Sequence, residues 1–188
     1  MSTKYRYFIG FIIFLISFNS YSSEIDLARN IIKMHFSSYT LAEEKDFQTK
    51  VIYGEWGEGN NNGVKFTPQF GDFNNDSIQD LAFYIITKEP FTEIKISGKE
   101  YKQKYAMLVS CHGTTQSKYE CFQVIEKDMI YPFWEFHTVV NNVKNIQCAG
   151  GNKNKVNGSA IYVNPALGNV NSVYWYSSGE YLSCSQGD

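Results

Sequence analysis

Asp72, Asn74, Asp76 and Asp80 carry oxygen-bearing side chains at positions 1, 3, 5 and 9 of the run DFNNDSIQD. Alternate residues of a tightly curled loop can point inward together, and calcium takes about six to eight oxygen ligands at about 2.3–2.6 Å. Ile78, at position 7, has no side-chain donor and offers its backbone carbonyl, as position 7 does in calcium loops of this kind. Three carboxylates, one amide oxygen, one carbonyl and a water make a hard-cation shell, and without a cation three carboxylates so close would repel one another. The expected ligands are therefore Asp72, Asn74, Asp76, Ile78 and Asp80, and the expected ion is Ca2+. The competing reading is a polar turn whose Asp and Asn side chains accept hydrogen bonds from their own backbone. An EF-hand is excluded: position 12 is Phe83 rather than Glu, and Asp80 leads into LAFYII, which reads as a strand and not a helix.

The stretch GDFNNDSIQDLAFYI resembles the calcium loop of FG-GAP or VCBS-type repeats. Their usual form is Gly-Asp-Phe/Leu-Asn-Gly-Asp-Gly, then Asp after two further residues, then an apolar strand. The resemblance implies the same side-chain ligands, Asp72, Asn74, Asp76 and Asp80, with Leu81 to Ile86 as the strand. Two family glycines are Asn75 and Ser77 here. Asparagine tolerates the left-handed backbone of a sharp turn, whereas serine adopts it at a cost of about 1 kcal/mol. The closing VYWYSSGEYLSC is also similar to the aromatic hairpin that ends many small exported proteins carrying one such loop. Propellers and solenoids need about three repeats or more, and this chain has one copy, so the ion is expected to act as a local staple.

Other candidate chemistry is sparse. Among three histidines, His137 beside Glu135 in EFH is the least implausible acid/base pair for a hydrolase, but no turn signature exposes a nucleophile. His112 follows Cys111 in an expected hairpin turn. Trp56, Trp134 and Trp175, with Tyr174, Tyr176 and Tyr181, offer rings that stack on sugars or fill a partner's pocket. Core packing is the plainer use of each. Trp56 stands apart because it precedes a glycine- and asparagine-rich loop, YGEWGEGNNNG, and loops of that composition lie at the surface, where binding residues concentrate.

The elements that must position these residues begin at a leader. Lys4 and Arg6 precede an apolar stretch from Phe8 to Phe18 and small polar residues at 20–23, the three-part order of a secretory signal peptide. The stretch is shorter than the roughly 20 residues of a membrane-spanning helix. Residues 1–23 are expected to be the signal peptide and 24–188 a single domain. Removal of the leader takes two of 17 basic residues and none of 19 acidic ones, leaving a net charge of −4. Such a surface does not suit nucleic acid or anionic membrane.

Apolar residues at three- and four-residue steps from Ile25 to Phe36 predict an amphipathic helix from Glu24, which either runs on toward Lys45 with Leu41 on its stripe or breaks near SSYT. After Phe47, short Val-, Ile-, Tyr- and Phe-rich stretches broken by Gly, Asn and Pro predict a mainly antiparallel sheet or sandwich, hence an α+β fold. LAFYII, apolar at six successive positions, is expected to be a central strand covered on both faces, one of them by the helix. Four cysteines agree with an oxidising compartment. Folding YAMLVSCHGTTQSKYECFQVIE at Gln116 sets Cys111 opposite Cys121 and leaves Cys148 for Cys184; the second pair closes the longer loop, where chain-entropy models give about 3–4 kcal/mol.

The whole predicts a disulfide-stapled, calcium-stabilised binding protein, periplasmic or secreted. Its expected role is as an inhibitor or immunity protein for an enzyme acting on the cell envelope. The alternatives are a glycan-binding module using the tryptophans and, less favoured, a hydrolase.

Overall fold

The computed structural model describes residues 24–43, 46, 68–90, 92–96, 98–125, 135–165 and 171–186. The expected signal peptide, Trp56 with its loop, and Trp134 lie outside them. Residues 24–35 form the helix α1. Eleven strands follow among the described residues: β1 (Tyr39–Leu41), β2 (Gln69–Gly71), β3 (Asp80–Thr87), β4 (Thr92–Ile96), β5 (Lys99–Gln103), β6 (Ala106–Gly113), β7 (Tyr119–Gln123), β8 (Glu135–Gln147), β9 (Lys153–Pro165), β10 (Asn171–Ser177) and β11 (Glu180–Gln186).

Every strand pair is antiparallel. A five-stranded sheet runs β1-β3-β6-β7, with β2 also on β3, and a four-stranded sheet runs β11-β10-β9-β8. The hairpin β4-β5 stands as a two-stranded piece. Along one edge of β3 the partners change: β2 pairs its first residues, Gly71 with Asp80, and β1 its last, Leu41 with Ile85.

The apolar run of β3 explains the layering. Successive strand side chains point to opposite faces, so six apolar residues in a row supply two apolar faces. Leu81, Phe83 and Ile85 share a buried cluster with Met107, Val109 and Cys111 of β6 and with Ala28, Ile31 and Ile32 of α1. Ala82, Tyr84 and Ile86 share another with Ala106 and Leu108 of β6, Phe73, and Ile161 and Val163 of the second sheet. Each of the larger side chains contributes about 1.5–3 kcal/mol by leaving water, which makes the β3–β6 ladder the centre of the molecule.

Both disulfides form as expected. Cys111 and Cys121 face each other across β6 and β7, and Cys148 is bonded to Cys184 of β11. Two expectations are corrected. The helix does not run on toward Lys45: it stops at residue 35, just before SSYT, and Leu41 lies in β1, where pairing with the edge of β3 replaces the helical stripe. His112 lies within β6 rather than in the turn, which is closed by Thr114 and Lys118. β9 begins at Lys153, where the polar segment KNKVNG pairs with the end of β8.

Candidate metal centre

The Asp72 to Gln79 segment is the connection of the β2-β3 hairpin, closed by the pairing of Gly71 with Asp80. Two residues in it have left-handed backbones, Asn75 at φ 59° and Ser77 at φ 67°. They are the two positions where the FG-GAP and VCBS-type loop carries glycine. The short polar side chain of asparagine suits that region, and serine occupies it with strain.

The acids hold this curl from inside. Asp72 Oδ1 accepts a hydrogen bond from the backbone N–H of Asp76 at 3.1 Å and Oδ2 from that of Ser77 at 3.1 Å. Asn74 Oδ1 also accepts from Asp76 N–H, at 3.2 Å, and donates through Nδ2 to Asp76 Oδ2 at 2.9 Å. Asp76 Oδ1 accepts from Ile78 N–H at 2.7 Å. These are the Asx-turn bonds of a self-supporting polar loop.

Asp80 is placed differently. It is fully buried, and its two oxygens accept from Phe73 N–H at 2.8 Å and from Gly113 N–H of β6 at 2.9 Å. Burial pushes its carboxyl up to about 6; the two N–H donors oppose that shift, and Asp76 and Asp72 add to it by like-charge repulsion. Gly113 permits the approach, because a Cβ there would stand 2.7 Å from the Gln79 carbonyl oxygen.

The loop is also fixed to the second sheet. Ser159 of β9 donates its N–H to the Asp72 carbonyl at 2.6 Å and accepts Asp72 N–H on Oγ at 2.8 Å, 87 residues away in the chain. Gly158 makes room for this: its φ is 132°, and a Cβ would sit 2.7 Å from the Asp72 carbonyl oxygen.

The donor chemistry of Asp72, Asn74, Asp76, Ile78 and Asp80 fits a hard cation, being all oxygen. A carboxylate oxygen has two lone-pair directions, so those bonded to a single N–H keep one for a metal. Among the described residues, no three acidic, His or Cys side chains stand together as a metal-holding group. The arrangement is thus a pre-curled loop with its acids engaged by backbone N–H groups, and with Asp80 anchored into the floor beneath it.

Behind the loop lies an aromatic cluster between the sheets. His112, 4% exposed, stacks on Phe73 and meets Phe122 and Tyr176 with ring centroids at 4.7 and 4.5 Å. Its Nε2 is 3.1 Å from the Tyr181 hydroxyl. Burial lowers its pKa to about 4, against the pull of Asp76 and Asp72. The ring is therefore neutral near pH 7 and serves the core. Trp175 is 6% exposed and belongs to the second sheet's own cluster with Ile146, Val156 and Val173. Tyr174, Tyr176 and Tyr181 pack against the core shared by both sheets. The C-terminal aromatic hairpin is thus interior packing. Glu135 and His137 lie two residues apart in β8, with side chains outside the described set.

Comparisons with family models, with curated proteins and with solved structures find no match. Among the described residues, no helix is long and apolar enough to cross a membrane. Two disulfides with no free cysteine fit an oxidising, extracellular or periplasmic setting.

Sequence reasoning missed Ser159, Gly158 and Asn141, which the structure brings to the loop. Ser159 Oγ donates onward to Asn141 Oδ1 at 2.7 Å. Of these, a glycine inside the β9 stretch KNKVNGSAIYV was the available signal, since glycine in a strand marks a bulge or a close backbone approach.

Proposed function

We propose that the chain is an exported binding domain in which calcium, held by Asp72, Asn74, Asp76, Ile78 and Asp80, stabilises the loop that bridges the two sheets. The observation that supports this reading is the left-handed backbone at Asn75 and Ser77, the turn a calcium loop of this kind requires. An ion there offsets the repulsion from Asp76 and Asp72 that adds to the upward push of burial on the Asp80 carboxyl. By binding only the folded state it adds stability by mass action. Isothermal titration of metal-free protein with calcium, together with its thermal shift, tests this; no heat and no shift removes calcium from the account.

The partner in this reading is a protein, an enzyme acting on the cell envelope, which the domain inhibits or against which it gives immunity. An acidic surface complements a basic, glycan-binding cleft and speeds the encounter. Affinity capture from envelope extract should recover one such enzyme and suppress its activity. Capture without inhibition of any envelope-degrading activity rejects the role.

A further inference from the structure

Beside the metal loop, a groove of about 390 Å³ opens between the first sheet's loop and the strands β8 and β9. Its polar lining includes Asp72, Asn141, Asn142, Lys144, Asn157 and Ser159. The part drawn from the second sheet comes from two consecutive breaks in the β8-β9 ladder. Val140 pairs with Ala160 and Val143 with Gly158, so Asn141 and Asn142 together oppose Ser159. Next, Asn145 pairs with Lys155, so Lys144 opposes Val156 and Asn157. Bulges of this sort re-aim side chains and are common beside binding and active sites.

The backbone is irregular at the same place. Among the described residues, most with positive φ lie in turns or loops, and the two inside strands are Asn142 at 58° and Gly158 at 132°. Gly158 is accounted for by the Asp72 and Phe73 carbonyls packed on it. Asn142 takes the left-handed conformation inside the bulge itself, which asparagine's short polar side chain tolerates.

The hydrogen-bond chain fixes what the groove presents. Asp72 N–H donates to Ser159 Oγ, and Ser159 Oγ–H donates to Asn141 Oδ1. The Asn141 carbonyl oxygen is thereby engaged and its side-chain NH₂ is oriented on an exposed strand position. Carboxamides carry both donors and acceptors, which is the pattern sugar hydroxyls match. The two charged lining side chains, Lys144 and Asp72, have opposite signs, so the groove does not select an ion. Its volume lies within the range of about 300–1,000 Å³ of small-molecule sites.

We propose that this groove binds a neutral polyhydroxylated ligand of the sugar class through Asn141, Asn142 and Asn157. The site goes beyond the calcium reading and uses carboxamides where the tryptophans were expected to serve.

The test is NMR titration of the ¹⁵N-labelled chain lacking residues 1–23, in calcium and in EDTA, with chitobiose, cellobiose and maltose up to about 20 mM, enough to detect Kd values in the millimolar range. At least one sugar should shift the side-chain NH₂ signals of Asn141 and Asn142 saturably. Asn157→Ala, at an exposed position, should weaken that binding by about tenfold or more, equivalent to about 1.4 kcal/mol, with an unchanged melting temperature. No saturable shift with any of the three sugars overturns the proposal, as do shifts caused by inorganic phosphate alone or undiminished sugar binding by the variant. Sugar binding that survives EDTA beside a silent calcium titration supports the groove and rejects the metal; calcium heat with silent sugars does the reverse.

Discussion

The β3-β6 and β8-β9 ladders are both long antiparallel pairings, yet one is regular and the other breaks twice. From Leu81 with Cys111 to Ile86 with Ala106, six consecutive pairs run without a shift, and the residues are buried on both faces and, Ser110 apart, apolar. A slip of one residue there would turn every side chain to the wrong cluster, so packing enforces the register. In β8-β9 the register shifts between Val140 and Val143 and again before Asn145, where the strands carry exposed Asn and Lys. Polar, solvent-facing strands specify register weakly, and here a second constraint decides it: the Asp72 loop must land on Gly158 and Ser159. The regular ladder holds the molecule together, and the irregular one shapes its surface.

The largest effect expected is at Asp80, which joins the regular ladder to the loop. Asp80→Ala leaves the N–H groups of Phe73 and Gly113 buried without an acceptor and should destabilise the domain by about 3–5 kcal/mol, measured by urea unfolding. A loss below about 1 kcal/mol would mean that water replaces the carboxylate and that the anchor is dispensable.

Next comes pH, where two buried groups of the same interior oppose each other. Asp80, raised to about 6, keeps its proton longer in the folded state than in the unfolded chain, so its contribution to stability falls as pH rises from about 4 to 6. His112, lowered to about 4, is protonated first in the unfolded chain, so its contribution falls as pH drops from about 6.5 to 4. Each is worth up to about 3 kcal/mol, and together they flatten the profile. His112→Gln removes one slope; in calcium-free buffer its stability should decline as pH rises from about 4 to 6, and an incline there would refute the assignment for Asp80.

Gly158→Ala attacks the irregular ladder. A Cβ 2.7 Å from the Asp72 carbonyl oxygen, on a backbone that favours glycine, should cost about 2 kcal/mol. Amide exchange should quicken in the 72–80 loop while the β3-β6 amides stay protected. Uniform loss of protection would instead make the two ladders one cooperative unit. The smallest effect is a gain. Ser77→Gly relieves a left-handed serine at φ 67° and should raise stability by about 1 kcal/mol or less, seen as a higher melting temperature.

How much was legible differs between these regions for the same reason. LAFYII could be read as a doubly covered strand because apolar continuity is a local property, and Cys111 could be matched to Cys121 because their strands meet in a short hairpin. Whether Leu41 belonged to the helix stayed open in the sequence because its partner exists only once β3 offers an edge. In the loop, spacing showed which side chains carry oxygen, and residue type showed which positions strain a tight turn. It did not show that Asp80 turns down onto Gly113, because that bond spans 33 residues. The groove was illegible altogether: Asn141 and Ser159 are ordinary polar residues until a bulge sets them face to face.

The sequence by itself determined the apolar continuity that builds the central strand, the short-range disulfide and the spacing of oxygen-bearing side chains in the loop, all of which depend on neighbours within a few residues or one hairpin. Only the tertiary structure decided the fate of Asp80, the burial of His112 and Trp175, and the landing of the loop on β9. Those depend on contacts between segments far apart in the chain, where geometry is set by the packing of two sheets rather than by local preference.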